Sequence, residues 1–282
     1  MVETAVKQFL NWDAQGTPSW KAPGILKGGG RRPGSPGREE VGVGGQVIQR
    51  AGKVAFKVTA DFIVTTDSPA LLAYAIRASY PAGALSPLMM QVGTEGADHL
   101  YEDGLIDALT IKADDEGSLE ASLEAIFLSR SAETGEAIVA ATDASWEWYE
   151  GVVTVGAEYP IKSLEIAQKN GLNPFYGGIG TKTPGIVRWP QSIELGLESI
   201  AVKLDTYEPI TTWDGDADTP ATDIGAVVVL THGTDVLTFT LTNLAFEGDE
   251  DMPIVTGSEF VTYGYNLKGR PGSLAITPPA GP

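Results

Sequence analysis

The chain has 282 residues, 37 Asp+Glu against 19 Lys+Arg, a formal charge of −18 and no cysteine. Its length is enough to bury roughly three-quarters of the unfolded surface, and an apolar content of 43% excludes a wholly disordered chain. The lack of cysteine excludes disulfides, thiolate metal sites and cysteine nucleophiles and suits a reducing cytosol, while the longest apolar run, Ile224–Leu230, falls far short of the ~20 residues of a membrane helix.

Charge divides by position. Residues 1–56 hold eight basic and four acidic groups, and residues 57–282 hold 11 and 33, a net of −22. Such a body repels phosphate and argues against conventional nucleic-acid binding. The basic part has a ready source of acid in another copy of the same body.

In chain order, residues 1–15 form an N-terminal segment. Glu3, Lys7 and Gln8 interrupt Met1–Leu10, which therefore lacks the apolar core of a signal peptide. Residues 16–52 follow as an extended basic arm or long loop, with Lys27, Arg31, Arg32 and Arg38 set among Gly and Pro. Glycine is costly to order and proline donates no backbone hydrogen bond, so this stretch predicts neither helix nor central strand. A surface linker has the same composition. Residues 53–282 read as a single β-rich domain.

In Lys53–Val64 the even positions Val54, Phe56, Val58, Ala60, Phe62 and Val64 are apolar, the period of a half-buried strand. Thr66-Asp67-Ser68-Pro69 supplies cap residues, and Leu71, Leu72, Ala75 and Ile76 recur at helical spacing, predicting a helix that ends near Tyr80-Pro81. Leu105–Lys112 and Leu119–Leu128 alternate around Asp114-Asp115-Glu116-Gly117, predicting a hairpin. A second short helix is predicted over Leu164–Lys169. The strand beginning at Ile193, Leu195 and Leu197 changes phase before Ile200, Val202 and Leu204. A bulge near Glu198–Ser199 explains that shift, as do two separate strands. Leu237–Leu244 alternates with Thr238, Thr240 and Thr242, and Val261, Tyr263, Tyr265 and Leu267 share a face. A faint likeness relates Leu105–Leu128 to Val236–Leu267, each a strand, an acidic turn and a strand. Many strands and few helices predict a mainly β fold, a sandwich or barrel with one flanking α-helix.

Catalytic motifs are scarce. His99 and His232 have no companion at metal-ligand spacing and read as surface residues. Gly177–Thr183 lacks the Gly-Lys step of a phosphate loop. Asp214, Asp216 and Asp218 open like a calcium loop, but Thr219 and Gly225 stand where it needs Gly and Glu. Trp146, Trp148 and Tyr149 cluster in a way that suits sugar stacking, core burial or a subunit contact. The expectation is no enzyme, no cofactor and no metal.

The order Lys53–Thr65, Pro69–Ala78, Gly104–Leu128, Leu237–Leu244 and Glu259–Leu267 resembles the major tail tube proteins of long-tailed, siphovirus-type bacteriophages. Leu105-Ile106-Asp107-Ala108-Leu109-Thr110-Ile111 stands where that family often has a strand of the V-x-S-L-T-L kind. Two stretches depart from the resemblance: the strongly basic Gly-Pro-Arg segment, and Asn173–Pro190. The resemblance implies a tail-tube-like fold and copies that assemble into rings, six to a ring, stacked into a tube. It implies a tape-measure protein as partner, passage of DNA through the lumen without specific binding, no membrane, and residence in the virion after synthesis in the host cytoplasm. Combined with the charge split, it makes Lys27, Arg31, Arg32 and Arg38 the inter-ring contact candidates. A tail terminator, baseplate hub, capsid decoration protein or carbohydrate-binding β module is the alternative.

Overall fold

A computed structural model describes residues 8–16, 19–34, 38–41, 47–50, 55–77, 84–94, 97–114, 117–133, 138–141, 144–155, 157–159, 161–175, 185–188, 192–200, 224–246 and 262–279. Its elements run β1 (Gln8–Ala14), β2 (Ile25–Gly34), β3 (Arg38–Val41), β4 (Val47–Arg50), β5 (Ala55–Ile63), α1 (Pro69–Ala73), β6 (Leu88–Thr94), β7 (Ala97–Asp114), β8 (Glu120–Phe127) and β9 (Ser129–Glu133). A 3-10 turn at Trp148–Glu150 leads into β10 (Gly151–Val155), β11 (Ala157–Tyr159), β12 (Ile161–Lys169), β13 (Leu172–Phe175), β14 (Gly185–Arg188), β15 (Ser192–Ile200), β16 (Ile224–His232), β17 (Asp235–Phe246), β18 (Thr262–Gly269) and β19 (Leu274–Thr277).

The protein is mainly β, and among the described residues it has one short α-helix and one large antiparallel sheet. The main path of that sheet is β11-β10-β16-β17-β18-β15-β12-β7-β8-β5-β2. The 18-residue β7 changes partners along its length. Residues 98–102 pair with β9, and residues 105–112 pair with β8. Between them Asp103 takes a left-handed φ of 52°, and Gly104 lies under Phe127. A Cβ at Gly104 would stand 2.1 Å from the Phe127 ring, so only glycine fits this crossing.

Alternation builds the core. In β5, Val58, Ala60 and Phe62 are fully buried, as are Leu237, Phe239 and Leu241 of β17. Both sets belong to one cluster, which also takes in Leu10 and Trp12 of β1 and Leu71 and Leu72 of α1. Fully burying each Val, Leu or Phe among them contributes about 1.5–3 kcal/mol. The predicted β7–β8 hairpin is present, with the Gly117 amide donating to the Asp114 carbonyl at 3.2 Å. Residues 115 and 116 of its turn lie outside the described residues, as do Lys53, Val54 and Val261 of the flanking strand patterns.

Four sequence expectations need correction. Leu164–Lys169 is not a helix but part of β12. Leu164, Ile166 and Gln168 turn inward while Glu165 and Lys169 face solvent, a period of two that outweighs weak helical spacing. The predicted helix after Pro69 stops at Ala73. The chain then tightens, Tyr74, Ala75 and Ile76 each bonding three residues back. The Ala75 carbonyl is taken by Gln168 Nε2 at 2.6 Å and Asn170 Nδ2 at 2.8 Å, so it is engaged from β12 rather than by a further helical turn. Tyr80-Pro81, the predicted helix end, lies outside the described residues. Ser68 does not cap through its side chain; its hydroxyl accepts from the Thr65 amide at 2.9 Å instead.

The third correction concerns the phase change near Glu198–Ser199. β15 runs in unbroken register against β18 through that point. The extra residue lies on the neighbouring strand, where Lys162 of β12 stands between Ile161↔Ser199 and Ser163↔Glu198. Val202 and Leu204 are outside the described residues. The fourth concerns the extended arm or loop expected over residues 16–52, and within it residues 25–34. These residues form β2, paired with β5 from Ile25↔Ile63 to Gly34↔Ala55. β2 lies at the end of the sheet path, where Pro33 need give no ladder hydrogen bond on its open side and basic residues discourage unwanted strand pairing. Arg38 begins the separate β3–β4 pair. Leu172–Phe175, which leads into the Gly- and Pro-rich stretch 173–190, and Gly185–Arg188 inside it pair as β13 and β14.

Candidate functional site

The structure brings three of the four basic candidates onto one strand. Lys27, Arg31 and Arg32 all lie in β2, and Arg38 lies in β3. Lys27 is the extra residue where β2 slips register against β5. Its ammonium reaches past β5 to form an ion pair with Glu120 of β8. Lys27 is therefore already engaged within its own chain, at a half-exposed position where such a pair contributes only about 0.2–1 kcal/mol. Beside the start of β2 lies an apolar groove of about 290 Å³, lined among others by Phe9, Pro23, Ile25, Leu26 and Ile138.

The outer face of β8, β7 and β12 carries a ladder of charge. Glu120, Lys112 and Glu165 stand side by side in register. Lys112 Nζ lies 3.0 Å from Glu165 Oε2, and Lys57 of β5 pairs with Glu124 of β8. The outer face of β10, β16, β17 and β19 has a different character. Val152 stands across from Val229, Val229 across from Thr238, and Thr238 across from Thr277. The next row is Thr154, Val227, Thr240 and Ala275. All eight are half-buried or exposed, and none carries a charge. This uncharged face was missed at the sequence level, although a signal existed. In Ile224–Leu230 the apolar residues fill both phases of the strand, so Val227 and Val229 are left outward when Ala226, Val228 and Leu230 turn in.

A polar cluster lies around the Trp148–Glu150 turn. Ser118 and Ser145 donate to the Glu147 carboxylate at 3.0 and 2.5 Å, and the Glu147 amide donates to Glu150 Oε2 at 2.9 Å. His232 Nδ1 lies 2.7 Å from Glu150 Oε1 and its ring is edge-on to Trp146. The serines serve Glu147 and the histidine serves Glu150, so the arrangement is a reciprocal cap that ties β16 to the turn. It does not form a serine–histidine pair. Trp146 is fully buried, whereas Trp148 is 48% and Tyr149 68% exposed, so the aromatic cluster divides between core and surface. His232 is half-buried in this cap rather than a free surface residue, and His99, also half-buried, lies 2.6 Å from the Asp98 carbonyl. Asp214, Asp216, Asp218 and the Gly177–Thr183 turn are outside the described residues. Among the described residues no group of three His, Asp or Glu is placed to hold a metal ion, and no helix is long and apolar enough to cross a membrane.

Among the described residues, two ionisable groups are perturbed. Asp107 is the extra residue in the β7 bulge between Ile106 and Ala108, and it is buried. Burial pushes its pKa up, the Leu172 amide donating to its Oδ1 at 2.6 Å opposes that, and nearby Glu124 adds to the rise. Lys169 and Lys57 pull it down. Tyr74 is raised by burial and then by Asp13. The Asn170 amide donates to the Asp107 carbonyl at 2.6 Å, and Asn170 Nδ2 donates to the Ile106 carbonyl at 2.9 Å. This satisfied network fixes the bulge and has the character of scaffolding. No protein-family model matches the chain, and no curated protein sequence matches it.

Proposed function

We propose that the protein is a structural subunit of a phage tail tube. Its copies close into rings, six to a ring, and the rings stack around a tape-measure protein in the virion. The finished tube is an acidic conduit through which DNA passes without specific binding. The observation that carries this reading is where the basic cluster lies. Lys27, Arg31 and Arg32 sit on a ten-residue edge strand whose one neighbour among the described residues is β5, while residues 57–282 carry a net −22. The positive charge of that strand suits the acidic surface of the next copy. An acidic wall also repels DNA phosphates and keeps friction low.

Negative-stain electron microscopy of concentrated protein tests the reading. Hollow rings or tubes with a regular axial repeat are expected, and uniform monomers would overturn it. Replacing Lys27, Arg31, Arg32 and Arg38 together with Ala should weaken ring stacking by roughly tenfold or more while the chain still folds, since exposed charge contacts each contribute about 0.2–1 kcal/mol. Normal tubes from that variant at ordinary salt would remove the basic strand from the account. The exposed Trp148 and Tyr149 favour a second reading, a carbohydrate-binding module. Quenching of tryptophan fluorescence by added sugars, with no assemblies formed, would select it.

A further inference from the structure

We infer that the uncharged outer face of β10, β16, β17 and β19 is the surface on which a second copy of this chain docks. The inference rests on the self-assembly reading and names the surface that reading leaves open. Two copies that each carry −18 repel over most of their surface, and a face without charge adds nothing to that repulsion where it meets a neighbour. The Val/Thr face is such a face. Its outward rows hold only Val, Thr and Ala, and charge resumes at its rim with Glu158 of β11, beside Thr154. Val152 of β10 and Val236 of β17 stand 45% and 41% exposed on it. Of the seven large apolar side chains exposed among the described residues, four (Trp148, Tyr149, Val152 and Val236) lie on these strands or the turn that leads into them.

The charge also selects the occupant. A basic partner would be drawn to the acidic regions and gain nothing from a neutral face. A partner of the same negative sign is repelled least there, and another copy is such a partner. Four strands about 4.8 Å apart and four residues long make a footprint of about 250 Å². A stable isolated dimer uses about 800 Å² per partner. The face therefore suits a contact repeated around a many-copy assembly, where linked contacts reinforce one another.

Sedimentation velocity on the full chain tests this with three proteins: wild type, Val152→Glu/Val236→Glu, and Thr110→Glu/Ser122→Glu. The last pair adds the same two charges to the outer face of β7 and β8. Wild type should associate as concentration rises, and association should hold or strengthen as salt is raised from about 0.05 to about 0.5 M, because screening relieves repulsion between the bodies. The valine double variant should need about tenfold more protein to associate, and the Thr110/Ser122 control should stay within about twofold of wild type. Val152→Thr/Val236→Thr, which keeps a neutral β-branched face, should associate like wild type. That result separates added charge from damaged folding.

Wild type that stays monomeric at every concentration overturns the inference. So do equal losses in the two glutamate variants. Electron microscopy separates this inference from the tube reading. Normal tubes from the Val152→Glu/Val236→Glu protein would overturn the docking face and leave the tube standing. Discrete dimers that are lost in that variant would support the face and overturn the tube.

Discussion

Across β8, β7 and β12 the outward side chains in register are Glu120, Lys112 and Glu165; across β10, β16 and β17 they are Val152, Val229 and Thr238. The inward side chains of the two regions are alike. Leu123, Ile111 and Ile166 on one and Val153, Val228 and Phe239 on the other belong to a single buried cluster. One core therefore supports two different surfaces. On the first, Lys–Glu pairs neutralise one another locally and keep the face hydrated. On the second, β-branched residues supply strand propensity with no charge. What separates the regions is what they offer to a neighbour, since the demands of folding are met equally by both.

The largest expected effect tests whether the core is truly shared. Phe127 of β8 and Phe239 of β17 are both fully buried. Phe127→Ala and Phe239→Ala should each cost about 3–5 kcal/mol in urea unfolding, with a single cooperative transition. A near-neutral Phe239→Ala beside a costly Phe127→Ala, or two separate transitions, would mean that the regions fold apart.

A smaller effect probes the charged ladder alone. Lys112 and Glu165 are both about half exposed, at 57% and 48%. A double-mutant cycle with Lys112→Ala and Glu165→Ala should give a coupling of about 0.2–1 kcal/mol that fades as salt is added. Coupling well above that range would make the ladder a stability device, and the contrast with the neutral face would then concern folding as much as recognition.

Individual strands differed in how legible they were. β5, β8 and β17 declared themselves because each has one dry face and one wet face, so polarity alternates with the strand period. β1 did not. Leu10 and Trp12 enter the core while Phe9, Asn11 and Asp13 are buried on the opposite side, so no alternation survives. Its burial of polar groups depends on partners distant in sequence, Asn11 donating to Gln91 at 3.0 Å and Gln91 to Asp98 at 2.7 Å. β2 was obscured by composition, because Gly, Pro and Arg are poor strand formers that an edge position tolerates. At the candidate site, the sequence placed the basic cluster outside the strand-rich body, and the pairing with β5 attached most of it to the sheet edge. The neutral outer face was hidden for a further reason. It is assembled from four strands, and only their register shows that the outward Val and Thr residues meet.

The smallest expected effect concerns a carboxylate that the charged region turns inward. Asp107 has a folded-state pKa raised above its ordinary value, chiefly by burial. Its favourable contribution is then fully present below the unfolded pKa of about 3.9 and is lost as pH rises through the folded value. Above that value the wild-type protein holds an ionised, desolvated group that Asp107→Asn avoids. The asparagine oxygen can still accept from the Leu172 amide, so the bulge keeps its tether. The variant should have the higher urea midpoint near neutral pH, and its advantage should shrink as pH falls below the ordinary carboxylate range. An advantage that instead grows in acid would show that the Leu172 hydrogen bond and the nearby lysines outweigh burial. Asp107 would then belong with the paired charges of the outer face and not with the core.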